Sequence, residues 1–66
     1  MFAWRYLDEA GEELGASDRF SDRDSAEAWM GECWSDLRDR GVGEVVLVDE
    51  ERDRRVYRMG LDAAAD

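Results

Sequence analysis

The chain has 66 residues, of which nine are Arg, none is Lys and eighteen are Asp or Glu, so its formal net charge is −9. A chain this acidic is not expected to hold a nucleic-acid backbone, which needs clustered cations, or to lie on an anionic membrane. Its 44% apolar residues, among them three Trp, two Tyr and two Phe, still predict a folded domain over residues 1–61. Residues 62–66 are expected to form a short flexible C-terminal tail.

The N-terminal segment predicts a β-hairpin. Residues 2–7 carry an aromatic side chain at every second position, which is typical of a half-buried strand. Residues 8–12 form a tight turn, in which Gly11 stands where a short hairpin loop needs a left-handed residue. If Asp8 lies opposite Glu12, Leu14 and Ala16 fall on the same face of the sheet as the aromatic side chains.

A helix is predicted over residues 22–40. Ser21 is expected to be its N-cap, with Asp24 three residues further on as in a capping box, and Gly41 is expected to end it. We attribute Gly31 in its interior to close packing against a strand, because glycine costs a helix about 1 kcal/mol relative to Ala. Apolar residues at helical spacing form one stripe, made of Ala26, Trp29, Met30, Cys33 and Leu37.

A second hairpin follows the helix. Residues 44–49 are a β-branched run, residues 49–54 a charged turn, and residues 55–61 alternate again. The element order is therefore β-β-α-β-β. We expect an α+β domain in which one helix is packed on an antiparallel sheet of about four strands, although the pattern does not give the strand order.

The predicted core combines the helix-facing positions of every element. Its members are Phe2, Trp4, Tyr6, Leu14, Ala16, Phe20, Ala26, Trp29, Met30, Cys33, Leu37, Val45, Leu47, Tyr57, Met59 and Leu61.

Three segments of the chain, residues 5–8, 26–29 and 56–59, carry a resemblance to a known group. Their sequences, RYLD, AEAW and VYRM, resemble small uncharacterised proteins of high-GC actinobacteria. The resemblance covers most of the chain, but its motifs are core and turn residues, so it implies no activity and no site.

The residue types present argue against an enzyme. Without His, the chain lacks the commonest general base and cannot form a Ser-His or Cys-His pair. Without Lys, it lacks the lysine of a P-loop. Cys33 alone cannot form a structural zinc site. Paired carboxylates are plentiful, but a domain with one helix on one sheet has little room for the cleft that acid–base catalysis needs. We expect no catalytic residue, no cofactor and no metal site, with Cys33 in the core.

The sheet face turned away from the helix is the surface with most functional content. It is expected to present apolar residues among arginines: Leu7, Val46, Val48 and Val56 beside Arg5, Arg19 and Arg58. Apolar patches with polar rims mark partner surfaces, and Arg is enriched at interfaces, although valines in strands also follow from β-propensity alone. Trp34, at the border of the helical stripe, either closes the core or anchors a partner.

Two hypotheses about function follow. The first is a small non-enzymatic protein-binding module in the cytoplasm, which docks on a protein partner through the outer sheet face. The expected partner is a second copy of the chain, which would give a homodimer. Neither nucleic acid nor a membrane is expected as a partner. Its contact residues are Arg5, Leu7, Val46, Val48, Val56, Arg58 and Trp34.

The alternative is an acidic nucleic-acid mimic that inhibits a DNA- or RNA-binding protein. The mimic would use the exposed side of the helix, at Asp22, Asp24, Glu27, Glu32, Asp36 and Asp39. The cytoplasmic location rests on the single Cys and on residues 1–6, which show no signal-peptide pattern.

Overall fold

A computed structural model describes residues 1–61, so the predicted tail at residues 62–66 lies outside the described residues. The elements are β1 (Phe2–Leu7), β2 (Glu13–Ala16), α1 (Arg23–Asp39), β3 (Glu44–Asp49) and β4 (Arg54–Gly60). The four strands form one antiparallel sheet in the order β2-β1-β3-β4, with the two hairpins joined through β1 and β3. The predicted α+β fold and its β-β-α-β-β order are confirmed.

The turn of the first hairpin closes as predicted. The amide of Asp8 donates a 2.9 Å hydrogen bond to the carbonyl of Glu12, and Gly11 has φ +86°. One carboxylate oxygen of Asp8 accepts from the amides of Ala10 and Glu12, each at 2.9 Å. A glycine at the left-handed position and an Asp that folds back on its own turn are what a short hairpin loop requires.

The pairing beyond that turn differs from the prediction. A bulge shifts the register between Tyr6 and Leu7, so that Tyr6 lies opposite Gly15. Because a one-residue shift exchanges the two faces of a strand, the placement of Leu14 and Ala16 in the core is wrong. Leu14 is 53% exposed, and Ala16 is exposed beside Arg5.

The helix begins one residue later than the capping box indicated. Asp22, and not Ser21, is the N-cap, and its carboxylate accepts a 2.7 Å hydrogen bond from the amide of Ser25. Gly41 follows the helix with φ +99°, which confirms the predicted stop. The next residue, Val42, is buried in the core, although the predicted core did not include it.

The core lies between α1 and the sheet. Its buried residues are Trp4, Ala26, Met30, Leu37, Val42, Val45, Leu47 and Leu61. Phe2, Tyr6, Phe20, Trp29, Trp34 and Met59 are partly buried against them, whereas Cys33 is half-buried. The indole N–H of Trp4 donates a 2.8 Å hydrogen bond to the carbonyl of Ala26, which ties the first turns of the helix to β1.

The position of the helix over the sheet leaves β4 partly uncovered. Helix α1 packs most closely against β1, one of the two central strands, and β4 lies at the far edge beyond β3. The prediction that Tyr57 is a core residue is wrong for this reason, because its side chain faces the helix layer yet is 42% exposed.

Candidate functional site

The outer sheet face has the arrangement of residues that the sequence predicted. Val46 lies directly between Arg5 of β1 and Arg58 of β4, and Val48 lies beside Ala3. Val56 falls at a second bulge, between the residues paired with Leu47 and Val48. Trp34 belongs to the helix layer, so the structure does not bring it together with the other predicted contact residues.

The valines of this face are not accessible, contrary to the expectation of an exposed apolar patch. Val46 is 3% exposed and Val48 is 7% exposed, while Val56 and Leu7 are half-buried. No second layer covers them within the described residues. We attribute their burial to the neighbouring arginines, whose aliphatic stems cover apolar surface while the guanidinium groups remain in water.

The arginines of the same face are held by acidic partners. Arg5 contacts Glu13 at 3.1 Å, Arg19 contacts Glu50 at 2.9 Å, and Arg58 contacts Glu44 at 2.7 Å. Exposed ion pairs of this kind contribute little to stability. They do neutralise Arg5, Arg19 and Arg58, whereas Arg55, which lies opposite Val48, forms no ion pair among the described residues. The face therefore offers a partner little free apolar area.

An apolar concavity lies on the opposite side of the sheet, between α1 and β4. We call it the α1–β4 groove; its volume is about 580 Å³. One wall is formed by side chains along one face of α1. The other is formed by residues of β4 and by Leu61, which follows that strand. The lining residues are Trp4, Arg23, Glu27, Met30, Gly31, Trp34, Tyr57, Met59, Gly60 and Leu61. Its existence follows from the position of α1 over β1, which leaves the helix-facing side of β4 without a cover.

Aromatic side chains and their cationic neighbours define the ends of the groove. Tyr57 meets Trp4 edge-on with ring centroids 6.2 Å apart, and the Arg23 guanidinium lies 5.9 Å from the Tyr57 ring centre. At the other end, the Arg38 guanidinium lies 5.1 Å from the Trp34 ring centre. Such cation–π contacts hold aromatic rings in fixed orientations at a partly exposed site.

The charged residues of the groove do not form an acid–base site. Arg23 and Glu27, its two charged lining residues, bind each other at 2.6 Å one helical turn apart. The remaining wall is apolar, aromatic or glycine. The groove therefore presents a mainly apolar lining whose two charged residues bind each other.

Gly31 leaves the helical wall of the groove open. A Cβ atom at Gly31 would meet no heavy atom within 4 Å, so the close packing expected from the sequence is wrong. Glycine in a helix interior costs about 1 kcal/mol relative to Ala, and no contact here offsets that cost. What the missing side chain does provide is space at the edge of the groove.

Two titratable groups with shifted pKa values lie outside the groove. Burial raises the pKa of Tyr6, with smaller contributions from Cys33 and Asp18, because all three disfavour the phenolate. The hydrogen bond from the Ser25 amide lowers the pKa of Asp22 below its ordinary value of 3.8. Both shifts follow from the fold: packing beneath the helix in one case and helix capping in the other.

Three of the six acidic residues that a nucleic-acid mimic would use have a partner within the domain. Glu27 is paired with Arg23, and Asp36 lies 3.6 Å from Arg40. Asp22 caps the helix, and Asp24, Glu32 and Asp39 form no ion pair among the described residues. All six residues are exposed. Strongly salt-dependent binding to a basic protein is the observation that this hypothesis requires.

The described part of the chain contains no group of three or more His, Cys, Asp or Glu residues placed to hold a metal ion. Over the same residues, no helix combines the length and apolar character needed to cross a bilayer.

Comparisons with known proteins found no matching family model, no matching curated protein and no matching solved structure. The resemblance to small actinobacterial proteins therefore stays a prediction.

Proposed function

We propose that this chain is a small non-enzymatic protein-binding module that holds its partner in the α1–β4 groove. The observation that carries the proposal is the groove itself, a mainly apolar concavity of about 580 Å³ that is lined by the exposed Tyr57 and has no side chain at Gly31. Apolar surface of this kind with a polar rim marks sites of protein interaction. A cytoplasmic location belongs to the same proposal and rests on the single Cys33, since small secreted domains usually carry several.

This proposal moves the contact surface from the outer sheet face, where the sequence predicted it, to the helix side. On the outer face, Val46 and Val48 are buried, and Arg5 and Arg58 are paired with acids. In the groove, Tyr57 is exposed, and Trp34 and Met59 are partly accessible. Large aromatic side chains at the centre of a contact supply most of the binding energy in protein interfaces.

Selection from a peptide display library tests the proposal without knowledge of the natural partner. Wild-type protein serves as bait, and each enriched peptide is synthesised and titrated against the wild type, Gly31→Leu and Ala28→Leu. Leu at position 31 fills the edge of the groove. Ala28 is exposed on the same helix but does not line the groove, so Ala28→Leu is the matched control.

We expect the enriched peptides to shift the amide resonances of Met59 and Gly60 and to lose at least tenfold in affinity for Gly31→Leu. The Ala28→Leu variant should bind them as the wild type does. Peptides that bind both variants equally would place the contact elsewhere and contradict the proposal.

A further inference from the structure

Strand β4 has one side without a partner among the described residues. It forms the edge of the sheet, paired only with β3. The amide of Leu61 donates a 2.9 Å hydrogen bond to the carbonyl of Gly43, so the main chain of Leu61 points toward the β3 side. Because main-chain groups alternate in direction along an antiparallel strand, those of Met59 point the same way, and those of Arg58 and Gly60 point outward. An exposed edge of this kind can accept a further strand.

The same edge carries positive charge on an otherwise acidic chain. Between Arg54 and Gly60, β4 contains three arginines and no acidic residue, whereas the whole chain has nine arginines against eighteen acids. Arg58 is paired with Glu44, and among the described residues Arg54 and Arg55 form no ion pair. An occupant of this edge therefore gains by carrying negative charge.

The edge and the groove lie side by side. Side chains of β4 alternate between the two faces of the sheet: Tyr57 and Met59 point to the helix side, while Arg58 points to the outer face. A strand added next to β4 continues this alternation. Every second side chain of that strand would enter the groove opposite Trp34, and the side chains between them would lie beside Arg58.

Building on the proposed function, we infer that the groove binds its partner by strand addition. The occupant is an extended segment of another protein, with apolar side chains at every second position and acidic side chains between them. Main-chain hydrogen bonds to Arg58 and Gly60 supply affinity, and the groove selects the apolar side chains; other domains read extended peptides at a sheet edge in this way. Gly31 leaves room for the largest of those side chains.

A second copy of this chain fits the edge less well. Pairing β4 with β4 of another copy would set two arginine-rich strands against each other, which is unfavourable. The other edge, β2, is only four residues long and bulged, which limits its ability to pair.

A fluorescein-labelled heptapeptide of alternating Glu and Leu is the probe for this inference, and fluorescence anisotropy gives its affinity. Two further versions carry N-methyl groups on all Glu residues or on all Leu residues. Each keeps every side chain but loses the amide donors along one edge of the peptide, and only one of those edges faces β4. A heptapeptide of alternating Lys and Leu is the charge control, and the wild type, Gly31→Leu and Ala28→Leu are the protein samples.

We expect the Glu–Leu peptide to bind the wild type and Ala28→Leu alike and Gly31→Leu at least tenfold more weakly. One N-methylated version should lose at least tenfold in affinity while the other binds as the parent does, and the Lys–Leu peptide should bind at least tenfold more weakly. Failure of the Glu–Leu peptide to bind, equal binding of both N-methylated versions or equal binding of the Lys–Leu peptide each overturns the inference.

The outcomes for the inference and for the proposed function are separable. If N-methylation has no effect but Gly31→Leu still abolishes peptide binding, strand addition is wrong and the groove remains the binding site. If Gly31→Leu changes nothing, the groove itself is wrong. Sedimentation of the protein alone completes the test, because oligomers that disappear in Gly31→Leu would show that the occupant is a second copy of the chain.

Discussion

The indole nitrogen of Trp4 lies 2.8 Å from the main-chain oxygen of Ala26, and this hydrogen bond is buried between β1 and α1. It joins a central strand to the helix across 22 positions of the chain. The helix lies over β1, and that placement leaves the α1–β4 groove open at the far side of the sheet.

Replacement of Trp4 by Phe should destabilise the domain. The smaller ring leaves a cavity and removes the donor, and together these effects are expected to cost about 2–3 kcal/mol in the free energy of unfolding. Urea denaturation followed by circular dichroism measures the change. Leu14→Ala is the control, because Leu14 is 53% exposed and its truncation should shift stability by less than about 0.5 kcal/mol. Equal losses in the two variants would contradict the role given to the buried bond.

Gly31 and Gly41 should respond in opposite directions to substitution by Ala. At position 31 the added methyl group meets no atom within 4 Å, and Ala is the better helix former, so Gly31→Ala should stabilise the domain by about 1 kcal/mol. At position 41 the backbone has φ +99°, which is unfavourable for a residue with a Cβ, so Gly41→Ala should destabilise it by about 1–2 kcal/mol. Thermal unfolding of both variants checks the pair, and a destabilised Gly31→Ala would show that the glycine has a structural role.

The helix cap predicts part of the acid sensitivity of the fold. The folded-state pKa of Asp22 is lowered, chiefly by the hydrogen bond from the Ser25 amide, so its carboxylate stabilises the folded state above the unfolded-state pKa of about 4. That stabilisation is lost as the pH falls through the folded-state pKa. Asp22→Asn keeps a capping side chain but does not titrate. The unfolding midpoint of Asp22→Asn should therefore fall less steeply than that of the wild type between about pH 5 and pH 2. Parallel pH profiles of the midpoint in the two proteins would contradict this role of the Asp22 cap.

The outer sheet face should behave as a part of the fold. Val46 is 3% exposed, whereas Val56 is half-buried at a bulge. Val46→Ala is therefore expected to cost about 1–2 kcal/mol, and Val56→Ala clearly less. Chemical denaturation distinguishes the two. Similar small losses of stability in the two variants would contradict the burial of Val46 and leave it accessible to a partner, as the sequence predicted.

Local patterns in the sequence predicted the elements well and their packing less well. The alternation of residues 2–7, the Gly11 turn and the Gly41 stop each depend on neighbouring residues only, and all three are confirmed. The N-cap at Ser21 was wrong by one residue, since Ser21 and Asp22 are both good capping residues and only the geometry selects Asp22.

The errors in the core share one physical origin: strand order and register are not local properties. Leu14 is exposed because a bulge shifts β2, and the turn residues contain no sign of that bulge. Tyr57 is exposed because β4 lies at the edge and α1 lies over β1. The α1–β4 groove depends on that same arrangement, so Gly31, Tyr57 and Met59 were not recognised as neighbours. Gly31 inside the helix was the one sign of the groove in the sequence, and it was wrongly attributed to close packing.

The pairing of β1 with β3 has a consequence for how the domain forms. Leu7 lies opposite Glu44 and Phe2 opposite Asp49, so the centre of the sheet joins a segment that precedes the helix to one that follows it. An isolated hairpin is marginally stable in water, and closing so long a loop is slow compared with forming the helix or either turn. The rate-limiting step is therefore expected to be the meeting of the two hairpins beneath a helix that has already formed. In stopped-flow refolding, Leu47→Ala should slow folding, whereas Leu14→Ala should leave the rate unchanged.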